Sequence, residues 1–264
     1  MSIAEQKVSI IIPHYNNARY LDDCLNSIRN QTYDNVEVIV VDDCSKRNET
    51  IKAALITCRY GYFFLKNSIN KGVSFTRNYG LSKATGSILT TIDPDDFFVS
   101  SNYIEVLVKS IQNAPQTVAG GVAVYYNENK TLLSKRVTKS VLSGDLKCLL
   151  FSRTCFIPIN IFYTTAMLAK VKGYNSKFDS YEDWDFKLRL SFHFNFHIQP
   201  VEIGYRIHNE GLSSISRRKK IFSLSRIFIR NFIYLDRGSM FRVLLLILGS
   251  FFEKYRSIYA QNKF

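Results

Sequence analysis

Hydrophobic and polar positions follow two rhythms over residues 1–100. Val8-Ser9-Ile10-Ile11-Ile12 is a short, β-branched apolar run ended by Pro13, and residues 36–41 form a second such run. Runs this short, with almost no polar alternation, read as strands buried on both faces. Between them Leu21, Cys24, Leu25 and Ile28 recur at helical spacing within residues 17–30. Residues 47–60 read as a helix, Tyr62-Phe63-Phe64-Leu65 as a third strand, 74–84 as a helix stopped by Gly86, and 87–92 as a fourth strand. Strands alternating with helices imply βαβ units and a mostly parallel sheet covered on both faces. Ligands of such sheets bind beyond the carboxyl ends of the strands. Pro13-His14-Tyr15-Asn16, Asp42-Asp43, and Asp93 with Asp95 and Asp96 are therefore expected to converge on one crevice.

The chain is less regular after residue 100. Residues 118–126 and 131–137, joined by Asn127-Glu128-Asn129-Lys130, predict a hairpin, while 164–171 and 181–192 predict helices. Neither an internal repeat nor a low-complexity linker interrupts the chain. From about Arg217 it turns basic and aromatic, with Ile221, Leu224, Phe228 and Leu235 at helical spacing. The apolar run 241–252 is too short for the roughly 20 residues that span a bilayer, and Arg237, Arg242, Lys254 and Arg256 flank it. That composition suits a helix lying in an anionic membrane surface; a helix packed on the main domain or on a dimer partner is the alternative. The domain expectation is 1–215 for the main unit, with halves 1–100 and 101–215, and 216–264 for a basic amphipathic helical tail.

The 264 residues, 46% of them hydrophobic, suffice for one core plus an appendage. The 5 cysteines are scattered without a CxxC pair, which implies reduced thiols in a cytoplasmic setting and excludes a disulfide framework and a zinc cluster. The first residues lack an apolar h-region, so no signal peptide is expected. The net charge of +13 calls for a polyanionic partner. Residues 1–130 are mixed in sign, and the excess gathers late, in Arg217-Arg218-Lys219-Lys220 and beyond, so the tail carries the field. A P-loop, a dinucleotide fingerprint and a nucleophilic Ser or Cys motif are all lacking.

The candidate chemistry centres on Asp93-Pro94-Asp95-Asp96, at the end of the fourth strand. Clustered carboxylates repel unless a positive partner joins them, and a hard divalent cation, Mg²⁺ or Mn²⁺, binds through such groups plus substrate phosphates. Turn formation is the competing explanation. Glu182-Asp183-Trp184-Asp185 opens a helix, where acidic residues complement the dipole or supply a general base. Asp43 reads as a turn or cap residue, Arg77 as a solvated or ion-paired helix arginine, and His14, His193 and His197 as structural.

These segments together resemble family 2 glycosyltransferases, which have the so-called GT-A fold. Val8 to Asn16 resembles the family's first strand, and Val38-Ile39-Val40-Val41-Asp42-Asp43-Cys44-Ser45 its second, with Cys44 for the usual Gly. Asn70-Lys71-Gly72 through Thr76-Arg77-Asn78-Tyr79-Gly80 is similar to its Asn-x-Gly…Ala-Arg-Asn-x-Gly segment, with Thr76 for Ala. Asp93-Pro94-Asp95-Asp96 matches the DxD motif, Glu182-Asp183 the acceptor-side pair, and Tyr205-Arg206-Ile207-His208 with Ser213-Ser214 a late Tyr-Arg-x-His…Ser segment. The resemblance covers residues 7–215. It implies an α/β, GT-A-like nucleotide-binding fold and an inverting, metal-dependent glycosyltransferase using a nucleotide sugar, a UDP-sugar by preference. It also implies roles: Asp183 as catalytic base; Pro13, Tyr15, Asn16, Asp43, Arg77 and Asp93 for the donor; Glu182 and Trp184 for the acceptor; Asp95, Asp96 and His208 for Mn²⁺ or Mg²⁺. Asp93 or Asp95 facing the ribose or sugar hydroxyls, and Trp184 in the core, stay open.

With the basic tail, the expected partners are a glycan or lipid-diphosphate-linked acceptor and an anionic membrane surface, not nucleic acid. The setting is then the cytoplasm, peripheral on the inner face of the cell membrane, in O-antigen or capsule polysaccharide assembly. A nucleotidyltransferase would need a basic Gly-rich loop where Pro13-His14-Tyr15-Asn16 stands. A non-catalytic membrane or nucleic-acid binder is favoured by the charge alone.

Overall fold

The computed structural model describes residues 6–135, 143–178, 180–208 and 217–247. The first sheet has the order β3-β2-β1-β4-β9: Phe63–Lys66 (β3), Val36–Asp42 (β2), Val8–His14 (β1), Ile88–Thr91 (β4) and Tyr163–Thr164 (β9). All its pairings are parallel except that of β9 with β4. Every residue of β1 is buried, as a central strand covered on both faces requires.

The period-2 geometry of the strands sorts their side chains between two cores. Ile10, Ile12, Val38 and Val40 meet helix α1 (Ala18–Arg29) and helix α4 (Tyr103–Asn113) on one face. Ile11, Ile39, Val41 and Leu89 meet Leu81 of helix α3 (Val73–Lys83) and helices α6 (Thr165–Val171) and α7 (Glu182–Ser191) on the other. Helix α2 (Arg47–Arg59) adds Ala53 and Ile56 to the first core and, through Glu49, accepts the backbone N–H of Ala18 at 3.0 Å. An otherwise uncapped N-terminal donor of α1 is thereby satisfied.

A second sheet, in the order β5-β10-β6-β7, joins Phe97–Phe98 (β5), Asn195–Arg206 (β10), Thr117–Tyr126 (β6) and Leu132–Lys135 (β7), with Ser143–Gly144 (β8) also paired to β10. The hairpin expected at 118–137 is present as antiparallel β6–β7 over its described residues. Strands β10 and β6 run parallel, with a register shift between Ile198 and Glu202. Pro200 falls within that break and has no N–H to give a ladder. Helix α4 and strand β10 lie outside the expected elements, although Ile104, Leu107, Val108 and Ile111 have plain helical spacing and are all buried.

After α5 (Lys147–Ser152), α6 and α7, the tail forms helix α8 (Arg217–Phe232) and a further helix, 237–247. Its inner side packs on the main domain. Ile227, Leu235 and Val243 belong to the second core, Phe228 meets Phe151 and Trp184 edge-on, and the buried Asn231 donates to Asp185 at 3.3 Å. The tail thus packs one face on the core, the alternative named above. Its other face exposes Phe222, Ile229, Ile233, Phe241, Leu244 and Leu245. Among the described residues no helix is long and apolar enough to cross a membrane. Residues 248–252 of the apolar run, Lys254, Arg256 and Ser213-Ser214 lie outside the described residues.

Candidate active site

The carboxyl ends of β1, β2 and β4 open on a cavity of about 620 Å³, lined by Pro13, Tyr15, Asn16, Asp43, Asp93 and Asp95, among others. Its floor is set by a buried pair. His14 Nδ1 donates to Asp42 Oδ1 at 2.9 Å, while His14 Nε2 accepts the backbone N–H of Asn17 at 3.3 Å. That assigns the Nδ1–H tautomer from the hydrogen-bond network, and His14 also lines the cavity. Burial alone would raise the Asp42 carboxyl, but hydrogen bonds from His14, Ser45 and Thr50 outweigh it and bring it down to about 2. A folded value below the unfolded 3.8 stabilises the fold above that pH and is lost as pH falls towards 2. The difference corresponds to about 2 kcal/mol. Asp42→Asn is therefore expected to lower unfolding free energy at pH 7 by about that amount, with the gap to wild type closing between pH 4 and pH 2 in urea titrations.

Two loop residues take left-handed backbone. Asn16 at φ 51° donates its N–H to Ser45 Oγ and accepts the Lys46 N–H on its side chain, tying the β1–α1 loop to the β2–α2 loop. Cys44 stands at φ 58°, a conformation that glycine adopts freely and other residues at a cost of about 1 kcal/mol.

Asp43 is nearly enclosed. Its Oδ1 accepts from Asn67 Nδ2 at 2.8 Å and from the Lys71 N–H at 2.9 Å, and its Oδ2 accepts the Gly72 N–H at 2.8 Å. A carboxylate has about four lone-pair sites, so these three donors leave one on Oδ2 in a residue that lines the cavity. Thr76 accepts from Asn67 and donates to the Gly72 carbonyl, a bridge that alanine there would not make. Tyr15 stands at the lip, 53% exposed.

Arg77 is only 1% exposed. Its guanidinium donates to Asp93 Oδ1 at 2.8 Å and to Glu182 Oε1 at 2.7 Å, and its Cζ lies 5.3 Å from the Tyr174 ring centroid. Burial disfavours the cation, but Asp93 and Glu182 more than compensate and hold its pKa well above the usual value. Asn78, the next residue, brackets Tyr174, donating to its carbonyl and accepting its N–H, each at 2.8 Å. Helix α3 thus ties the Asp93 loop to the start of α7.

The 3 carboxylates of the Asp93–Asp96 run part ways. Asp93 and Asp95 line the cavity. Asp95 Oδ2 meets His208 Nε2 at 2.6 Å; burial and then the Asp93 charge raise its pKa against that contact. Asp96 is buried, does not line the cavity, and is pushed well above the carboxylate range by burial and by Asp95 and Asp93. Asp96, expected as a metal ligand, thus stands apart from the cavity that Asp93 and Asp95 line. Among the described residues no group of 3 or more metal-ligating side chains converges, which leaves Asp95 with His208. The segment that carries His208 is used throughout: Tyr205 accepts the Ile159 N–H at 2.7 Å and Arg206 donates to Asp23 at 2.8 Å.

At the start of α7 the two acidic neighbours also differ. Glu182 is buried against Arg77; burial raises its pKa in spite of that partner. The Asp183 side chain is 30% exposed. Burial pushes it up, but Lys187 and then Arg77 bring it below the usual range. Lys187 Nζ donates to Asp183 Oδ2 and to the Ile157 carbonyl, each at 2.8 Å. Lys187 was legible only as an i, i+4 partner. Trp184 is in the core, donating to the Leu150 carbonyl at 2.9 Å. That is the core placement left open above, and Phe228 meets Trp184 in a T-shaped contact.

Comparison with known proteins agrees with this fold. The family model described as Glycosyl transferase family 2 matches residues 9–174. Glycosyltransferase GlyA of Streptococcus pneumoniae is 33% identical over 129 residues, 48% of this chain and 18% of that protein. An uncharacterised glycosyltransferase of Haemophilus influenzae is 29% identical over 185 residues, 69% of this chain and 61% of its own length. The chain thus spans less than two thirds of either relative. Among solved structures, S. aureus TarS 1-349 in complex with UDP-GlcNAc superposes with a TM-score of 0.73 at 18% identity, covering 92% of this chain and 71% of that one. Mannosyltransferase PcManGT from Pyrobaculum calidifontis, in complex with GDP-Man and Mn²⁺, gives 0.68 at 16% identity, covering 92% and 69%. At these identities the structures establish a shared fold.

Proposed function

Because this chain belongs to glycosyl transferase family 2, we propose that it moves a sugar from a UDP-sugar to a hydroxyl of a glycan acceptor, with inversion at the anomeric carbon. The observation that carries the reading is Arg77, which joins Asp93 of the strand-end cavity to the Glu182-Asp183 pair. That link supports reading the cavity as the donor side and Asp183, next to Glu182, as the base. The choice of UDP draws on TarS, solved with UDP-GlcNAc, and on the open lone pair of Asp43, which suits a pyrimidine N–H, with Tyr15 free to stack on the base.

Asp95 and His208 fit a divalent cation, Mn²⁺ or Mg²⁺, because a burial-raised carboxylate at 2.6 Å from an imidazole is relieved by a positive charge; donor phosphates would complete the shell. Bound there, the ion would neutralise charge on the departing diphosphate. Asp183, kept ionised by Lys187, takes the proton of the acceptor hydroxyl as that oxygen attacks the anomeric carbon. The bond to the diphosphate breaks on the opposite face and UDP leaves. Glu182 and Arg77 orient the pair.

The exposed apolar and basic side of α8 and helix 237–247 supports an acceptor carried on a lipid diphosphate at an anionic membrane face, as in O-antigen or capsule assembly. The test is a panel of UDP-, GDP- and dTDP-sugars with Mn²⁺ and a lipid-diphosphate monosaccharide. Nucleotide release is expected from a UDP-sugar alone and stops in excess EDTA. Full activity in EDTA removes the metal from the scheme, and GDP-sugar turnover moves the donor class.

A further inference from the structure

Helix α1 grips the segment that carries His208. Arg206 and His208 stand two residues apart at the end of β10, where alternate side chains share a face. The side chain of His208 is 4% exposed and Arg206 is 8% exposed, while Ile207 between them is 52% exposed. The face they share is covered by Tyr20, which is buried. The Tyr20 ring centroid lies 5.2 Å from that of His208 and 4.3 Å from Arg206 Cζ. The Tyr20 hydroxyl is buried with no hydrogen-bond partner among the described residues, so the ring alone makes these contacts. Three residues further along α1, Asp23 accepts from Arg206 at 2.8 Å and from Lys130 of the β6–β7 turn at 2.6 Å. Neither Tyr20 nor Asp23 lines the strand-end cavity.

An imidazole that ligates a cation must hold its ring at one angle, and its outer contacts set that angle. Here one of those contacts is aromatic. The guanidinium of Arg206 is drawn to the same ring by cation–π attraction, which burial strengthens, and Asp23 neutralises and aims it. We propose that Tyr20 is a positioning residue for the divalent cation that Asp95 and His208 would hold, fixing the His208 imidazole against its ring, and that Asp23 supports it by keeping Arg206 on that ring. This role rests on the reading of Asp95 and His208 as cation ligands and adds to it the helix that sets the imidazole. Helix α1 follows directly on Pro13 to Asn17, which line the strand-end cavity, so the cation site and a wall of that cavity share one support.

Titration of full-length protein with Mn²⁺ in the presence of UDP, followed by the EPR signal of the free ion, tests the role without turnover. Tyr20→Leu is expected to bind Mn²⁺ about tenfold more weakly, and Tyr20→Phe, which keeps the ring, within about twofold of wild type. UDP affinity measured without metal should stay unchanged in both, and excess Mn²⁺ should restore sugar transfer in Tyr20→Leu. Asp23→Asn should lose roughly threefold in Mn²⁺ affinity. Asp22→Asn, whose partner is Arg59, removes the same charge one residue away and should lose none. If Tyr20→Leu does not fold, the comparison of Asp23→Asn with Asp22→Asn decides. Unchanged Mn²⁺ affinity in Tyr20→Leu, where Asp95→Asn loses it, overturns the positioning role and leaves the cation site standing. Equal losses in Tyr20→Phe and Tyr20→Leu, or in Asp23→Asn and Asp22→Asn, overturn the role as well. A wild type that binds no Mn²⁺ with UDP, or an Asp95→Asn variant that binds it as wild type does, overturns the cation reading and this role with it.

Discussion

Replacing Asp183 with Asn is expected to slow sugar transfer by roughly 10²- to 10⁴-fold while UDP affinity stays near wild type. The amide cannot take a proton but keeps the shape and a hydrogen-bonding oxygen for Lys187. The effect should be this local because the neighbouring carboxylates are committed elsewhere. Glu182 accepts from Arg77 at 2.7 Å. Asp185 is fully buried, accepting from Arg189 at 2.8 Å and from Asn231, and so anchors the tail helix. Both oxygens of Asp185 are thereby engaged. Single-turnover rates with calorimetric UDP binding separate chemistry from affinity. A variant that transfers sugar at the normal rate removes Asp183 as the base.

Arg77→Met should cost stability as well as activity. The arginine is enclosed and neutralises two carboxylates from different parts of the chain, Asp93 and Glu182. Removing one partner of a buried ion pair leaves an uncompensated charge and typically costs about 3–5 kcal/mol. For a chain of this size that is a fall in melting temperature on the order of 10 °C. Arg77→Lys should land between, since it restores the charge but not the two-pronged donor geometry. Adding Glu182→Gln to Arg77→Met should recover part of the loss, because the more buried of the two stranded carboxylates is then neutral while Asp93 stays unpaired. Thermal melts of the three variants check this. If Arg77→Met melts within a degree or two of wild type, Arg77 is not what joins the two halves.

The first sheet was readable from the sequence because central parallel strands show as unbroken apolar runs, and the residues just after them, from Pro13 to Asn16 and at Asp43, Asp93 and Asp95, had to meet at one edge. The second sheet was not. Strand β10 contains Pro200 and pairs in parallel with β6, about 78 residues earlier by the Phe196–Val118 register, and no local signal reports so distant a partner. Helix α4 had its signal, in Ile104, Leu107, Val108 and Ile111.

Within the site, residue types were legible and directions were not. Asp95 and Asp96 are adjacent, yet one faces the cavity with His208 and the other is buried. Trp184 shares a helical turn with Asp183 but turns into the core. The tail shows a further limit. An apolar stripe on a helix looks the same whether a membrane or a protein core covers it, and here the core takes one face and leaves the other exposed.

Calorimetric titration of UDP with Mn²⁺ into the wild type and into Asp95→Asn tests most directly whether the strand-end cavity is a nucleotide-sugar site. One UDP is expected to bind per chain, at least about tenfold more weakly in Asp95→Asn, since a charge-assisted contact is lost, and more weakly in the wild type once EDTA replaces the metal. UDP that fails to bind, or that binds both proteins equally with and without EDTA, contradicts that assignment.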